Sequence, residues 1–183
     1  MMPKILSWNV RGLNLVEKRM KIKSLLREWK VDVVCFQETK VQNVTRELVQ
    51  SLWGCAQVDW CALGSHGASG GILLMWDRRV VEKMEAWEGS YSITCSFRSV
   101  SDDFKWAFAG VYGPNVDNDR SMLWDELSGL MERWVVPWCI GGDFNVTRFP
   151  SERFGNHRYA PSMEEFSRFI FDHGLMDIPL MGG

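Results

Sequence analysis

Hydrophobic and polar positions repeat at two periods along the chain. A strand is expected from about Lys4 to Val10. From Leu15 to Trp29 the period becomes helical: Ile22, Leu25, Leu26 and Trp29 share one face, with Lys18, Arg19, Lys21, Lys23 and Arg27 facing outward. Val31–Phe36 is a short β-branched run that reads as a buried strand. Asn43 is placed to cap a helix that runs through Leu52 and ends at Gly54. Five short runs follow, Gln57–Leu63, Gly71–Trp76, Val80–Trp87, Tyr91–Arg98 and Lys105–Tyr112, separated by Gly, Ser and Asp. That spacing predicts an antiparallel meander. A helix is expected near Arg120–Trp134 and a strand over Val135–Ile140. Ser162-Met163-Glu164-Glu165 has the form of a capping box. It should open a helix with Phe166, Phe169 and Ile170 on one face, closed by Gly174. A strand–helix–strand start and a mostly antiparallel middle together predict mixed sheets packed face to face under helices.

Composition narrows the class without changing that picture. The chain has 183 residues, 46% hydrophobic and 24% charged, which is ordinary globular usage and matches a single domain. Lys plus Arg is 21 and Asp plus Glu is 23, a net charge of −2. Binding of nucleic acid by bulk positive charge is excluded, so any such contact must come from a local patch or a bound cation. No apolar run approaches the ~20 residues that span a bilayer. The N-terminus meets Trp8, Asn9 and Arg11 too soon for a signal-peptide core. The five Cys, 35, 55, 61, 95 and 139, form no C-x-x-C pair and read as reduced thiols. An intracellular protein, nuclear or cytoplasmic, is the expectation. The two sequons at Asn43 and Asn145 carry little weight without a secretory signal.

Candidate chemistry falls at strand ends. Asn9 ends the first strand, Glu38 the second and Tyr112 a later one; Asp143 and Asn145 follow the run Trp138-Cys139-Ile140. In layered α/β folds, loops beyond strand ends gather into one site. In Asp143-Phe144-Asn145, alternation on an extended segment would turn the carboxylate and the amide to one point and Phe144 into the core. Magnesium takes one or two carboxylates with substrate phosphate, and Glu38 and Asp143 supply two. Asn9, Asn145 and Tyr112 offer hydrogen bonds to phosphate oxygens. Singly, each has a plainer explanation: Gly-Gly-Asp is a turn signal, Glu38 a solvated charge, Tyr112 a strand aromatic. Among the basic residues Arg11, Lys40, Arg78, Arg79, Arg148, Arg153 and Arg158, those beside the motifs (Arg11, Lys40 and Arg148) are favoured for phosphate contacts. Lys18–Arg27 reads as the wet face of a helix.

Four blocks in order, Ser7-Trp8-Asn9-Val10-Arg11-Gly12-Leu13, Gln37-Glu38-Thr39-Lys40, Tyr112-Gly113-Pro114-Asn115 and Gly141-Gly142-Asp143-Phe144-Asn145, resemble the endonuclease/exonuclease/phosphatase superfamily. With Ser69–Trp76 and Gly174–Ile178, the chain looks most like the endonuclease domain of plant LINE-type (non-LTR) retrotransposons. The resemblance implies an α/β (α+β) fold, a four-layered α/β/β/α sandwich of two mixed sheets, over residues 1–183 as a single domain. It implies magnesium-dependent hydrolysis of a DNA phosphodiester, with manganese as a possible substitute. Asn9 and Glu38 would belong to the metal site and Tyr112 would contact the scissile phosphate. Asp143 would orient or activate the attacking water, and Asn145 would hold the phosphate. Arg11, Lys40, Asn115 and Arg148 would contact phosphate or DNA. DNA is the expected partner; no membrane and no obligate protein partner are inferred.

The family site also uses a late Ser-Asp-His block and a further Asp. Neither occurs before Gly183, so the family's last strands are expected to be lacking, with an open sheet edge. His66, His157 and His173 do not fill the gap: two lie in loops, and Asp172-His173 sits in the last turn of a helix, where neighbours face different ways. A missing general base costs about 10²–10⁴ in rate. Two alternatives therefore stay open beside the endonuclease: an inactive retroelement remnant that binds metal or nucleic acid, and a phosphatase of the same superfamily.

Overall fold

The computed structural model describes residues 2–66, 70–155 and 158–178. In chain order the elements are β1 (Ile5–Asn9), α1 (Val16–Trp29), β2 (Val33–Gln37), α2 (Arg46–Leu52), β3 (Val58–Leu63), β4 (Ile72–Asp77) and β5 (Val81–Glu88). Then come β6 (Ser92–Ser99), β7 (Lys105–Tyr112), α3 (Asp117–Arg133), β8 (Trp138–Asp143), a 3-10 turn at Pro150–Glu152, and α4 (Pro161–Asp172).

The first sheet has the order β1-β2-β4-β3 and the second β5-β6-β7-β8. Each is mixed. β1 and β2 run parallel across α1, and β7 and β8 run parallel across α3; the remaining pairs are antiparallel. The five central runs are therefore strands, as their alternation predicts, but not one meander. β3 and β4 close the first sheet, and β5–β7 open the second. Alternation reveals a strand but not which sheet receives it.

Three apolar layers follow from the strand period of two. Val34 and Phe36 of β2 point to α1 and α2, packing on Ile22, Leu26, Val49 and Leu52. Val33 and Cys35 point the other way, into the space between the sheets, against Phe97 and Phe108. The outer face of the second sheet, Ala109 and Val111, is covered by Leu123, Trp124 and Leu127 of α3 and by Phe166 and Phe169 of α4. The layers are thus α/β/β/α.

One close approach sets the sheet spacing. A Cβ on Gly110 would lie 2.4 Å from Cys35 Sγ. Gly110→Ala is expected to destabilise the fold by about 1–3 kcal/mol through overpacking. A urea midpoint unchanged from wild type would disprove that reading.

Several local expectations are corrected. Thr45, not Asn43, caps α2, accepting from the Leu48 amide at 3.3 Å. Ser162 does not cap α4: Pro161 occupies the first turn, Ala160 precedes it, and Ser162 is buried within the helix. β8 starts at Trp138 rather than Val135, because Pro137 offers no ladder N–H and Val135 projects into solvent. Trp29 is 44% exposed and leans on Trp8 instead of entering the core. Lys18 and Arg19 are not solvated charges. Lys18 Nζ donates to the Val10 and Arg11 carbonyls, and Arg19 Nη1 donates to the Leu13 and Asn14 carbonyls at 2.7 and 2.9 Å. Together they hold the loop after β1.

Among the described residues β8 is the outer strand of its sheet. An apolar groove of 1180 Å³ runs beside it, between the end of α3 and α4. No helix is long and apolar enough to cross a membrane.

Candidate functional site

The two parallel pairs lie side by side, so the carboxyl ends of four strands meet at the seam between the sheets. Asn9 ends β1 opposite Gln37 of β2, and Tyr112 ends β7 opposite Asp143 of β8. Asn9 Nδ2 donates to Asp143 Oδ2 at 2.8 Å and ties the first sheet to the second.

The backbone is strained here. Six non-glycine residues among those described have positive φ, and four of them (Arg11, Glu38, Lys40 and Asn145) follow these strand ends. Such conformations cost energy and persist where surrounding contacts over-determine them, which marks functional loops. Hydrogen bonds supply that constraint. The Gly12 and Leu13 amides donate to the Glu38 and Thr39 carbonyls at 2.7 and 2.8 Å, and the Lys40 amide donates to the Gly70 carbonyl at 3.0 Å. Gly113 N–H reaches the Asp143 carbonyl at 2.7 Å.

Asp143 and Asn145 do converge, but not by extended alternation. Asn145 is left-handed, at φ 52°. Its amide N–H bends back to Asp143 Oδ1 at 3.1 Å, and its side-chain Nδ2 donates to the Gly113 carbonyl at 2.7 Å. Phe144 enters the core, stacked near Trp124, as expected. Asp143 thus accepts one donor on each oxygen. Asn9 Oδ1 in turn accepts the Arg11 amide at 3.1 Å.

Tyr112 is half-buried. Burial first, then the carboxylates of Glu38 and Asp143, push its phenol above the usual tyrosine range. The hydroxyl therefore stays a proton donor across the neutral range, placed where it senses both carboxylates. Glu38 is partly exposed, and Lys40 Nζ lies 3.4 Å from its Oε1.

Of these groups Asn9, Asp143 and Asn145 line a cavity of 580 Å³, with Ser7, Gln37, Thr147 and Arg153 also on its wall. Arg11 and Asn115 are exposed, in the loops that follow β1 and β7. Arg148 is turned away: its guanidinium pairs with Asp177 and lies over the Phe149 ring. Arg153, less favoured on sequence position, faces the cavity instead. Arg120 was not flagged as a site residue by sequence reasoning. It is buried behind Asn145 and donates to the Asn145 carbonyl at 2.7 Å. Its only sequence signal is an i,i+3 spacing from Asp117, which looks like a surface pair.

Neither His66 nor His173 lines the cavity that holds Asp143. His66 is exposed in the loop after β3. His173 Nε2 is 2.8 Å from Ser128 Oγ and lines the apolar groove, not the cavity. His157 lies outside the described residues.

Oxygen donors on the cavity wall include the Asp143 carboxylate and the Asn9 amide oxygen, and the Glu38 carboxylate lies close enough to Tyr112 to act on its phenol. Among the described residues no cluster of three or more His, Cys, Asp or Glu forms. A cation held here would draw on one or two carboxylates and an amide oxygen. That suits a hard divalent cation that keeps waters and takes phosphate oxygens, and not zinc.

Known proteins share this architecture. An exodeoxyribonuclease of Bacillus subtilis is 29% identical over 195 residues, covering 95% of this chain and 73% of that protein. The catalytic domain of Xenopus laevis APE2 superposes with a TM-score of 0.69 at 17% identity, over 90% of this chain and 67% of that one. The AP endonuclease LMAP of Leishmania major gives 0.65 at 18%, over 93% and 66%. A mannosyl-6-phosphatase of Bacteroides thetaiotaomicron gives 0.65 at 12%, over 91% and 70%. The chain spans about two thirds of the length of these structures, which at such identities share its fold. The Endonuclease/Exonuclease/phosphatase family model matches residues 6–168, from within β1 into α4 and through every strand end described above. The chain belongs to the Endonuclease/Exonuclease/phosphatase family.

Proposed function

We propose that the chain is a magnesium-dependent nicking endonuclease of the LINE type, hydrolysing a DNA phosphodiester. The observation that carries the reading is the hydrogen bond between Asn9 and Asp143 across the sheet seam. It joins the two halves of one cavity, and Tyr112 lies close enough to Asp143 and Glu38 to feel both charges. The wording of the Gln37–Lys40 and Gly141–Asn145 blocks supports a DNA-cleaving branch over a phosphatase.

In this reading Glu38, with Asn9, holds the cation, which when bound neutralises charge on the phosphate. Asp143 orients a water and takes its proton as the water oxygen bonds to phosphorus. The bond from phosphorus to the leaving 3′-oxygen breaks, and that oxygen takes a proton from a solvent water, giving a 3′-hydroxyl and a 5′-phosphate. Tyr112 donates its hydroxyl proton in a hydrogen bond to a non-bridging oxygen where charge develops. Asn145 spends one amide hydrogen on Gly113 and keeps the other for phosphate. Arg11, Lys40, Asn115 and Arg153 contact neighbouring phosphates. Arg148 joins them only by releasing Asp177.

The test is nicking of supercoiled plasmid with magnesium, beside Glu38→Ala and Asp143→Ala. Nicking that both substitutions abolish supports the proposal. No nicking from a folded, monodisperse chain sinks it and favours a second reading, binding of metal or nucleic acid without hydrolysis. One observation favours that reading: among the described residues no imidazole lines the cavity. Release of phosphate from small phosphomonoesters without nicking would instead point to a phosphatase.

Tyr112 gives a pH prediction. Its raised pKa keeps the donor protonated past the usual value of about 10. The nicking rate should therefore show no fall from loss of this proton until the pH passes the raised value. Tyr112→Phe should cost about 10²-fold in kcat, as for removal of one oxyanion donor. A pH–rate profile of both proteins checks this; an alkaline limb below pH ~10 that Tyr112→Phe removes would contradict it.

A further inference from the structure

The guanidinium of Arg120 is buried at the first turns of α3, beneath the loops that follow β7 and β8. Nη1 pairs with Asp117. Nη2 donates to the Asn145 carbonyl at 2.7 Å and reaches the Asn115 carbonyl at 3.4 Å. Nε has no partner among the described residues. A buried charge persists only when paired and hydrogen-bonded, and two of the acceptors used here are backbone carbonyls, that of Asn145 on the cavity wall and that of Asn115 in the loop after β7. Helix-surface Asp–Arg pairs do not bury their arginine; this one is buried because both loops close over it.

The position of Asn145 explains what the contact does. Its left-handed backbone is disfavoured and must be held. From below, Arg120 holds the carbonyl; from above, Asp143 Oδ1 holds the amide; from the side, Gly113 holds the amide group of the side chain. Removing Arg120 frees the Asn145 carbonyl, so the left-handed φ/ψ of Asn145 is no longer held; as that residue relaxes, its amide, in the preceding peptide unit, turns from Asp143 Oδ1.

We propose that Arg120 is a positioning residue: it acts through Asn145 to fix the Asp143 carboxylate, and through Asn115 to fix the loop that follows Tyr112. The proposal rests on the hydrolytic reading for its kinetic consequence, though the structural consequence can be read without it. Charge alone is not sufficient for this role. A planar guanidinium spans two carbonyls and a carboxylate at once; a lysine ammonium on a shorter reach serves fewer of them.

The experiment compares wild type, Arg120→Met, Arg120→Lys, Asn145→Ala and the Arg120→Met/Asn145→Ala double variant. The readouts are plasmid nicking kinetics and amide hydrogen exchange over residues 143–147. Arg120→Met should lower kcat by about 10²-fold with KM within a few-fold, the cost of a small misplacement. Exchange at 143–147 should rise while β2 and β7 keep their protection. Arg120→Lys should recover part of both. The double variant should be little worse than the more impaired single variant, because both act on the conformation of one residue. Multiplying losses in the double variant, or exchange that rises equally in β2 and β7, would overturn the proposal in favour of a general packing role. Should Arg120→Met fail to fold, Arg120→Lys carries the comparison; unchanged exchange at 143–147 in Arg120→Lys together with wild-type kcat would also overturn it. A wild-type chain that does not nick would end the hydrolytic reading, and exchange at 143–147 would then decide the positioning role by itself.

Discussion

Asp143→Asn should lower the nicking rate by about 10²–10⁴-fold without shifting the unfolding midpoint appreciably. The substitution keeps the shape of the side chain and reverses the polarity of one atom. In the native site Oδ2 accepts from Asn9 and Oδ1 accepts from the Asn145 amide. An asparagine has one oxygen for those two donors, and its NH2 must face the other. Either the tie across the sheets or the turn at Asn145 is lost, in addition to the group that takes the proton from water. The core layers are untouched, so the fold should persist. Single-turnover nicking and urea unfolding, run on the same preparations, check both halves; a rate within threefold of wild type would remove Asp143 from the chemistry.

Trp124→Ala carries the largest expected effect on stability. The indole is 7% exposed and lies between rings, with centroids 5.0 Å from Phe166, 4.9 Å from Phe169 and 6.3 Å from Phe144. Truncation of such a residue costs about 3–5 kcal/mol. That is a large share of the roughly 5–15 kcal/mol that holds a domain folded. The loss is not confined to the core, because Phe144 sits between Asp143 and Asn145 and leans on the same stack. Trp124→Phe should cost much less, since it keeps a ring and removes an indole N–H that has no partner among the described residues. A shift in urea midpoint for Trp124→Ala no larger than that for Trp124→Phe would show that the stack contributes little.

Much of this was legible in the residues. The helical spacing of Ile22, Leu25, Leu26 and Trp29 predicts the inner face of α1, of which Ile22 and Leu26 are buried, and the run Val31–Phe36 predicts a buried strand, found over Val33–Gln37. The strand-end positions of Asn9, Glu38, Tyr112 and Asp143 were readable because strand ends gather by topology, independent of fine geometry. For Asn145, extended alternation predicts a side chain facing the same point as Asp143, whereas the structure has a left-handed turn there. That turn depends on hydrogen bonds to residues 2 and 32 positions away, the second of which no local pattern contains. Arg120 and Arg153 were missed or undervalued for the same reason: what buries one and faces the other to the cavity is the packing of distant loops. Arg148 was favoured because it follows the Asp143 motif, yet the chain turns after Asn145 and delivers it to Asp177. Ser162 shows a different failure, in which the capping-box pattern was read although Pro161 already fixed the helix start.

The backbone passes from the first sheet to the second between Asp77 and Val81, where the Asp77 carboxylate clamps the Arg79 guanidinium in the connecting turn. Everything before that turn builds one sheet with its two helices; everything after it builds the other. Asn9 and Glu38 belong to the first half, Tyr112 and Asp143 to the second. Neither half holds a complete cavity, and the Asn9–Asp143 bond can form only once the two have docked. In refolding, recovery of the site is therefore a late event that reports docking rather than the growth of secondary structure. The same division makes the turn at Arg78–Arg79 a natural cut for fragment complementation: two polypeptides, each silent alone, whose reassociation would be read out by the function of the rejoined site.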